Sequence, residues 1–227
     1  MNNTYIISLG GSLIVPDCGI DFLFLKKFKK LIDGEVKKGK KFYLISGGGH
    51  TARKYIESAS KITKITDDDK DWLGIHSTRL NAHLIRTIFW DLAHPEIIKN
   101  PTIRLHSDKK IIVAGGWKPG WSTDYVATMI AQEYEVSTII NLSNIECAYD
   151  KDPKKFKDAK KIETSNWADF RKIVGDKWTP GLNMPFDPIA SKKAQQHNLK
   201  VIVADGKNLT NLANILNNKK YKGTTIS

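Results

Sequence analysis

Three short apolar runs pass almost directly into glycine, and this pattern narrows the available folds more than any other feature. Residues 5–9 end at Gly10, Gly11 and Ser12; residues 42–45 lead through Ser46 to Gly47, Gly48 and Gly49; residues 111–114 close on Gly115 and Gly116. A short apolar run bounded by turn residues reads as a strand buried on both faces. Such strands belong to parallel sheets covered by helices. The intervening segments have helical periodicity. Residues 22–36 place Phe24, Leu25, Phe28, Leu31 and Ile32 at helical spacing, and a lysine-rich last turn precedes Gly39. Further helices are expected from the triple glycine through Glu57, and over 68–92, 123–133, 185–197 and 209–216. Strands are expected over 137–142, 201–203 and 224–226, and a polar, lysine-rich loop over 150–162. Strand, helix, strand, glycine loop, helix is the order of an α/β fold with a parallel sheet. No repeat, low-complexity tract or linker divides the chain, so one domain over residues 1–227 is expected.

Composition removes whole classes. With 41% hydrophobic and 26% charged residues the chain can bury a core, which excludes a collagen-like or disordered polymer. Cys18 and Cys147 are the only cysteines, too few for a disulfide framework or a four-cysteine zinc site. No apolar run approaches the ~20 residues of a membrane helix, and no secretory signal is visible, so a reducing, cytoplasmic setting is the expectation. The net charge of +12 comes mainly from lysine, the arginines being Arg53, Arg79, Arg86, Arg104 and Arg171. Lysine runs at 26–30, 37–41, 154–155, 160–161 and 219–220 read as solvated faces, or as a field for anions. Base readout prefers arginine forks, and no nucleic-acid-binding motif is present, so a small anionic ligand is favoured over nucleic acid.

Glycine loops let backbone N–H groups approach phosphate oxygens, and a following helix adds its positive N-terminus. Gly10-Gly11-Ser12 and Gly47-Gly48-Gly49-His50-Thr51-Ala52-Arg53 both fit, although neither has the Walker or dinucleotide spacing. Each alone is equally a tight strand-to-helix turn. Two together, with Arg53 a helical turn on, point to a nucleotide and a second phosphorylated ligand. A third loop, Trp117-Lys118-Pro119-Gly120-Trp121-Ser122-Thr123-Asp124, offers hydroxyls and a carboxylate at a helix start, where Ser122 or Thr123 also suits an N-cap. A fourth, Ser143 to Pro153, combines small polar groups, Tyr149 and acids that could hold Mg²⁺ directly or through water. Asp67, Asp68 and Asp69 read as a helix start. Trp167 and Trp178 are expected in the core or an interface, and no histidine has metal-ligand spacing with cysteine.

Taken together, the segments resemble the amino acid kinase family, and within it the archaeal-type uridylate kinases. The resemblance spans nearly the whole chain: Leu9-Gly10-Gly11-Ser12; the triple glycine with Thr51-Ala52-Arg53; Asp71-Trp72-Leu73-Gly74-Ile75 followed by Thr78-Arg79-Leu80-Asn81-Ala82; Pro119-Gly120 with Ser122-Thr123-Asp124; Asn144, Tyr149 and Asp152-Pro153; Asp187-Pro188 with Ala190 and Lys192; and Gly223 to Ile226. It implies a three-layer α/β/α sandwich with a mainly parallel central sheet. The N-terminal half would be mainly acceptor site and the C-terminal half mainly ATP site. It implies transfer of the ATP γ-phosphate to UMP with Mg²⁺, in a homohexamer. Gly11, Ser12, Gly49 and Arg53 would lie near the ATP phosphates, and Ser143, Asn144, Tyr149 and Asp152 would form the adenine-nucleotide pocket. Gly48, Asp71, Arg79 and the loop Trp117, Lys118, Pro119, Gly120, Trp121, Ser122 and Thr123 would bind UMP. Arg53 would neutralise the transferring group and Asp124 would orient its donors, with no metal site built from protein side chains alone. Two positions depart from the pattern. Ser8 stands where many members carry lysine, with Lys118 and Lys151 as candidate replacements, and Glu146-Cys147 replaces a usual Asp-Gly. They keep open another acceptor, such as isopentenyl phosphate with His50 in its pocket, or a nucleotide-binding storage or regulatory protein with little turnover.

Overall fold

A computed structural model describes residues 3–153, 155–177 and 184–227. Trp178 and Lys154 lie outside the described residues. In chain order the elements are β1 (Thr4–Leu9), α1 (Gly11–Ile14), α2 (Phe22–Lys37), β2 (Lys41–Ser46), α3 (Gly49–Ile62), α4 (Asp67–Ile88), β3 (Ile111–Ala114), α5 (Thr123–Glu133) and β4 (Thr138–Ser143). There follow β5 (Ala148–Tyr149), β6 (Lys161–Ile162), β7 (Thr164–Ser165), α6 (Trp167–Val174), α7 (Pro188–Gln196), β8 (Lys200–Asp205), α8 (Leu209–Leu216) and β9 (Thr224–Ile226).

A seven-stranded sheet runs in the order β3-β2-β1-β4-β8-β9-β7. Its strands are parallel except at β8–β9, which is antiparallel. Alternation along each strand sends successive side chains to opposite faces. Ile7, Leu9, Phe42, Leu44, Ile140 and Leu142 meet Phe28 and Ile32 of α2, Ile85 of α4 and Leu212 of α8. Ile6, Tyr43, Ile45, Ile139 and Val203 meet Val126 and Ile130 of α5, Phe170 of α6 and Ala190 of α7. Two cores separated by one sheet are the α/β/α layering that the resemblance implied.

Capping fixes where the helices begin. Thr66 and Asp69 form a reciprocal capping box at α4, which confirms the acidic run as a helix start. Asp187 caps α7 and places Pro188 in its first turn, so this helix starts three residues later than the periodicity suggests. The 68–92 reading overshoots, because α4 closes at Phe89. The expected loop at 150–162 is not wholly a loop. Its end, Lys161 and Ile162, pairs antiparallel with Tyr149 and Ala148, and Lys161 is ion-paired with Glu146 across the ribbon. A two-residue strand is too short to show an alternating pattern. Helix α6 lay outside the sequence reading, although Asn166 caps it and Trp167, Phe170 and Val174 recur at helical spacing. Trp167 is in the core, where its indole N–H donates to the Leu199 carbonyl at 2.8 Å. Lys40 corrects the solvated reading of its lysine run: it is only 6% exposed and engages Glu35.

Candidate active site

Strand β1 sits between β2 and β4, so the chain leaves it towards one edge of the sheet and returns on its other side. In open parallel sheets a crevice opens beyond the carboxyl ends of the strands at such a switch point. Here it is a cleft of about 580 Å³. Its walls include Gly10, Gly11 and Ser12 after β1, Gly47 after β2, Arg53 on α3, Thr123 and Asp124 on α5, and Ser143 and Asn144 after β4.

The two glycine loops touch backbone to backbone. A Cβ on Gly11 would stand 2.0 Å from the Gly49 nitrogen, and one on Gly49, whose φ is +65°, would stand 2.3 Å from the Gly11 oxygen. No side chain fits at either position, which is the physical reason for glycine. Gly10 N–H donates to Leu142 at 2.8 Å, Gly47 N–H to Leu9 at 2.9 Å and His50 N–H to Val15 at 2.9 Å, which ties the loops to β4 and to each other. Asn81 of α4 donates from Nδ2 to the carbonyls of Gly47 and Gly48 at 2.8 and 3.1 Å. The loop that starts α3 thus borders the cleft through Gly47, and the helix returns to it at Arg53; the dipole of a helix that begins here favours an anion nearby.

Asp124 lines the same cleft. Its Oδ1 accepts from the Ser8 hydroxyl at 3.2 Å, and its Oδ2 from the Asp187 backbone N–H at 3.2 Å. Burial and the neighbouring Asp187 carboxylate push the Asp124 carboxyl up to about 7, against the pull of those two hydrogen bonds. Asp187 is 6% exposed; its Oδ1 accepts from Ala190 N–H, while its Oδ2 has no hydrogen-bond partner among the described residues. Burial likewise raises the Asp187 carboxyl. Two close carboxyls with an orphaned oxygen are hard donors of the kind Mg²⁺ prefers. No cluster of three or more His, Cys, Asp or Glu occurs among the described residues, so a bound Mg²⁺ would need phosphate and water oxygens to complete its shell.

The remaining predicted residues form an adjoining loop. Asp71 Oδ2 accepts from Gly120 N–H at 2.7 Å, and Gly120 has φ +85°. Burial raises the Asp71 carboxyl. Arg79 donates from Nε to the Gly116 carbonyl at 3.1 Å and from Nη2 to Trp117 at 2.7 Å, so two of its N–H groups hold the loop. Thr78 Oγ1 accepts from Gly116 N–H at 2.6 Å. Trp117 and Trp121 stack at 6.0 Å, Trp121 meets Tyr125 at 4.0 Å, and the Lys118 ammonium lies 4.3 Å from the Trp117 ring centre. Ser122 caps α5 by accepting from Tyr125 N–H at 3.1 Å. Pro119 lies in this same turn.

The cleft therefore joins Gly11, Ser12, Arg53, Thr123, Asp124, Ser143 and Asn144, with Gly49 packed behind Gly11 and Gly48 facing α4. Tyr149, on the β5–β6 ribbon, and Asp152, in the turn that follows β5, are off its lining. The lysine candidates are also elsewhere: Lys118 is on Trp117 and Lys151 pairs with Asp158 at 2.6 Å. His50 turns its Nδ1 to within 2.7 Å of Asp17, away from that lining. Sequence reasoning gave no site role to Asn81, Asn141 and Asp187. A signal existed for Asn141, a lone amide in the apolar strand β4, and its buried side chain lines the cleft.

Glycine loops meeting at a switch point, with one arginine and a buried carboxyl across the cleft, define a nucleotide-binding α/β sandwich. The chain belongs to the amino acid kinase family, whose model matches residues 3–205. Relatives agree over the full length. The chain is 35% identical to a uridylate kinase of Thermoplasma volcanium, covering 100% of this chain and 98% of the relative. It is 34% identical to one of Staphylothermus marinus, covering 100% and 99%. Among solved structures it matches the uridylate kinase of Archaeoglobus fulgidus with a TM-score of 0.81 at 27% identity, over 98% and 99% of the two chains. A UMP kinase of Bacillus anthracis, 19% identical with a TM-score of 0.78 over 99% and 96%, shares the fold.

Proposed function

We propose that this chain is an ATP-dependent kinase that phosphorylates UMP to UDP. The observation that carries this reading is the convergence of the two glycine loops, Arg53 and Asp124 on one cleft, beside a loop that Asp71 and Arg79 hold in place. Relatives of 35% and 34% identity over the full length, both uridylate kinases, support the acceptor.

The chemistry follows from the placement. Phosphoryl transfer needs alignment and neutralisation of the equatorial oxygens more than covalent participation. The glycine-loop N–H groups and the α3 N-terminus would bind the transferring phosphate, and Arg53 would fork onto its oxygens. Ser143 and Asn144 would hold the nucleotide side of the cleft, with Tyr149 and Asp152 beyond them. Gly48, Asp71 and the 117–123 loop would hold UMP. Asp124, with phosphate oxygens and water, would hold a Mg²⁺ ion, whose chemistry there would be neutralisation of polyphosphate charge. Asp124 orients rather than abstracts a proton, since a phosphate acceptor is already ionised near neutral pH. The N-terminal half supplies most acceptor contacts and the C-terminal half most ATP contacts. A homohexamer, a cytoplasmic setting and a place in pyrimidine nucleotide synthesis belong to the same reading.

An isopentenyl-phosphate kinase would want His50 at the acceptor, and here that ring faces Asp17. A coupled assay for ADP release from MgATP, run against UMP, CMP, AMP and isopentenyl phosphate, tests the proposal. Selective turnover of UMP is expected. ADP release with a different acceptor only moves the acceptor assignment, and nucleotide binding without turnover makes the chain a storage or regulatory protein.

A further inference from the structure

Arg53 is the only cationic side chain that lines the cleft among the described residues, and it is already occupied. Its Nη2 donates to Asp17 Oδ1 at 3.0 Å, and its Nη1 to the Ser12 hydroxyl at 3.3 Å. The same Asp17 oxygen lies 2.7 Å from His50 Nδ1. Asp17 sits in the turn between α1 and α2, where Gly19 N–H closes onto the Pro16 carbonyl at 3.1 Å and Gly19 has φ +104°. Its side chain is 82% exposed.

We propose that Asp17 is a built-in anion that occupies Arg53 in the empty site and is exchanged for a nucleotide phosphate. A carboxylate and a phosphate offer a guanidinium the same pair of acceptor oxygens, so one stands where the other must bind. The exchange is easy in one direction. A solvent-exposed ion pair is weakly held, whereas a polyphosphate brings several charges to the same fork and also meets the glycine-loop N–H groups. Ser12 keeps the guanidinium against the glycine loop during the exchange. His50 gives Asp17 a second partner, so the carboxylate has somewhere to stay once Arg53 leaves it. Asp17 is ionised at any working pH, because the Arg53 hydrogen bond and the close His50 ring hold its carboxyl below the ordinary range. The consequence is that Asp17 weakens nucleotide affinity and speeds nucleotide departure.

The inference rests on the reading of Arg53 as a phosphate ligand, and its test does not require turnover. Titration calorimetry with MgADP compares the native chain with Asp17→Asn, Arg53→Met and the double variant. Both residues are exposed, so neither change disturbs the core. Asp17→Asn is expected to tighten MgADP binding about 3- to 10-fold, and the KM for ATP should fall in step. In the Arg53→Met background the same change should do nothing, because Asp17 acts through Arg53. Weaker binding by Asp17→Asn would make Asp17 a support that orients Arg53, and overturn the proposal. A gain that persists without Arg53 would overturn it too, as general charge repulsion. If the native chain turns over UMP while Asp17→Asn binds MgADP as before, this inference alone fails. If the native chain binds no nucleotide, the functional reading fails first.

Discussion

Asp124 shows at the scale of one residue how a site carries a cost. Its carboxyl has an ordinary value near 3.8 and a folded value of about 7, so the folded chain holds a proton there that the unfolded chain releases. Stability that depends on this group is therefore greatest at low pH and declines as pH rises from about 4 to about 7. Asp124→Asn should remove the penalty. Its amide can still donate towards Ser8 and its carbonyl can still accept from Asp187 N–H. The variant should be more stable than native by about 1–3 kcal/mol at pH 8, with less than half that gain at pH 5. Its kcat should fall by at least ~100-fold, in line with the loss of an electrostatic group that orients donors. Urea unfolding at the two pH values, set beside the kinetic assay, checks both halves. Equal stability gains at both pH values would remove the titration from the account.

The glycine-loop junction belongs to the scale of elements, because neither loop needs glycine until the other approaches it. Gly11→Ala would force a methyl group against the Gly49 backbone, and the loops would have to part. A loss of about 2–4 kcal/mol in stability and of nucleotide binding is expected. Gly34 lies inside α2 with nothing within 4 Å of a built Cβ, so Gly34→Ala should instead stabilise by about 0.5–1 kcal/mol. Thermal unfolding of the pair with a nucleotide titration separates the two glycines. The contrast also marks what the sequence could carry. Both glycine loops were legible because a buried strand followed by glycine has few other uses. So were the long helices and the mainly parallel character of the sheet. That Gly11 must be glycine because of Gly49 was not legible, since it depends on residues far apart in the chain. The β5–β6 ribbon was hidden by its length, and Asp187 by its partner Asp124, 63 positions away. Tyr149 and Asp152 were legible only as a resemblance, and their place outside the cleft lining is a fact of three dimensions.

At the scale of the molecule, a charged cluster away from the cleft joins the N-terminal and C-terminal parts of the chain. Glu35 on α2 is engaged by Lys40, by Lys38 at 2.7 Å and by Asn217 at 3.2 Å, the last from just beyond α8. Lys40 Nζ also donates to the Leu216 carbonyl at 2.6 Å. The cluster thus binds the N-terminal α2–β2 connection to the C-terminal end of α8, across the core that both share. Burial would raise the Glu35 carboxyl, yet the hydrogen bonds from Lys38, Lys40 and Asn217 hold it at about 2, below its ordinary 4.5. Its contribution is present above about pH 4.5 and is lost as pH falls towards 2. Lys40→Met leaves that carboxylate buried without its inner cation and should cost about 2–4 kcal/mol. Adding Glu35→Leu should return most of the loss, since the orphaned charge then goes as well. With one sheet spanning β3 to β7, we expect a single unfolding transition for the native chain, seen alike by tryptophan fluorescence and circular dichroism. If Lys40→Met splits that transition in two, the halves are separate folding units joined by this cluster; if it only shifts the midpoint, the chain is one domain and the cluster is one contribution to it.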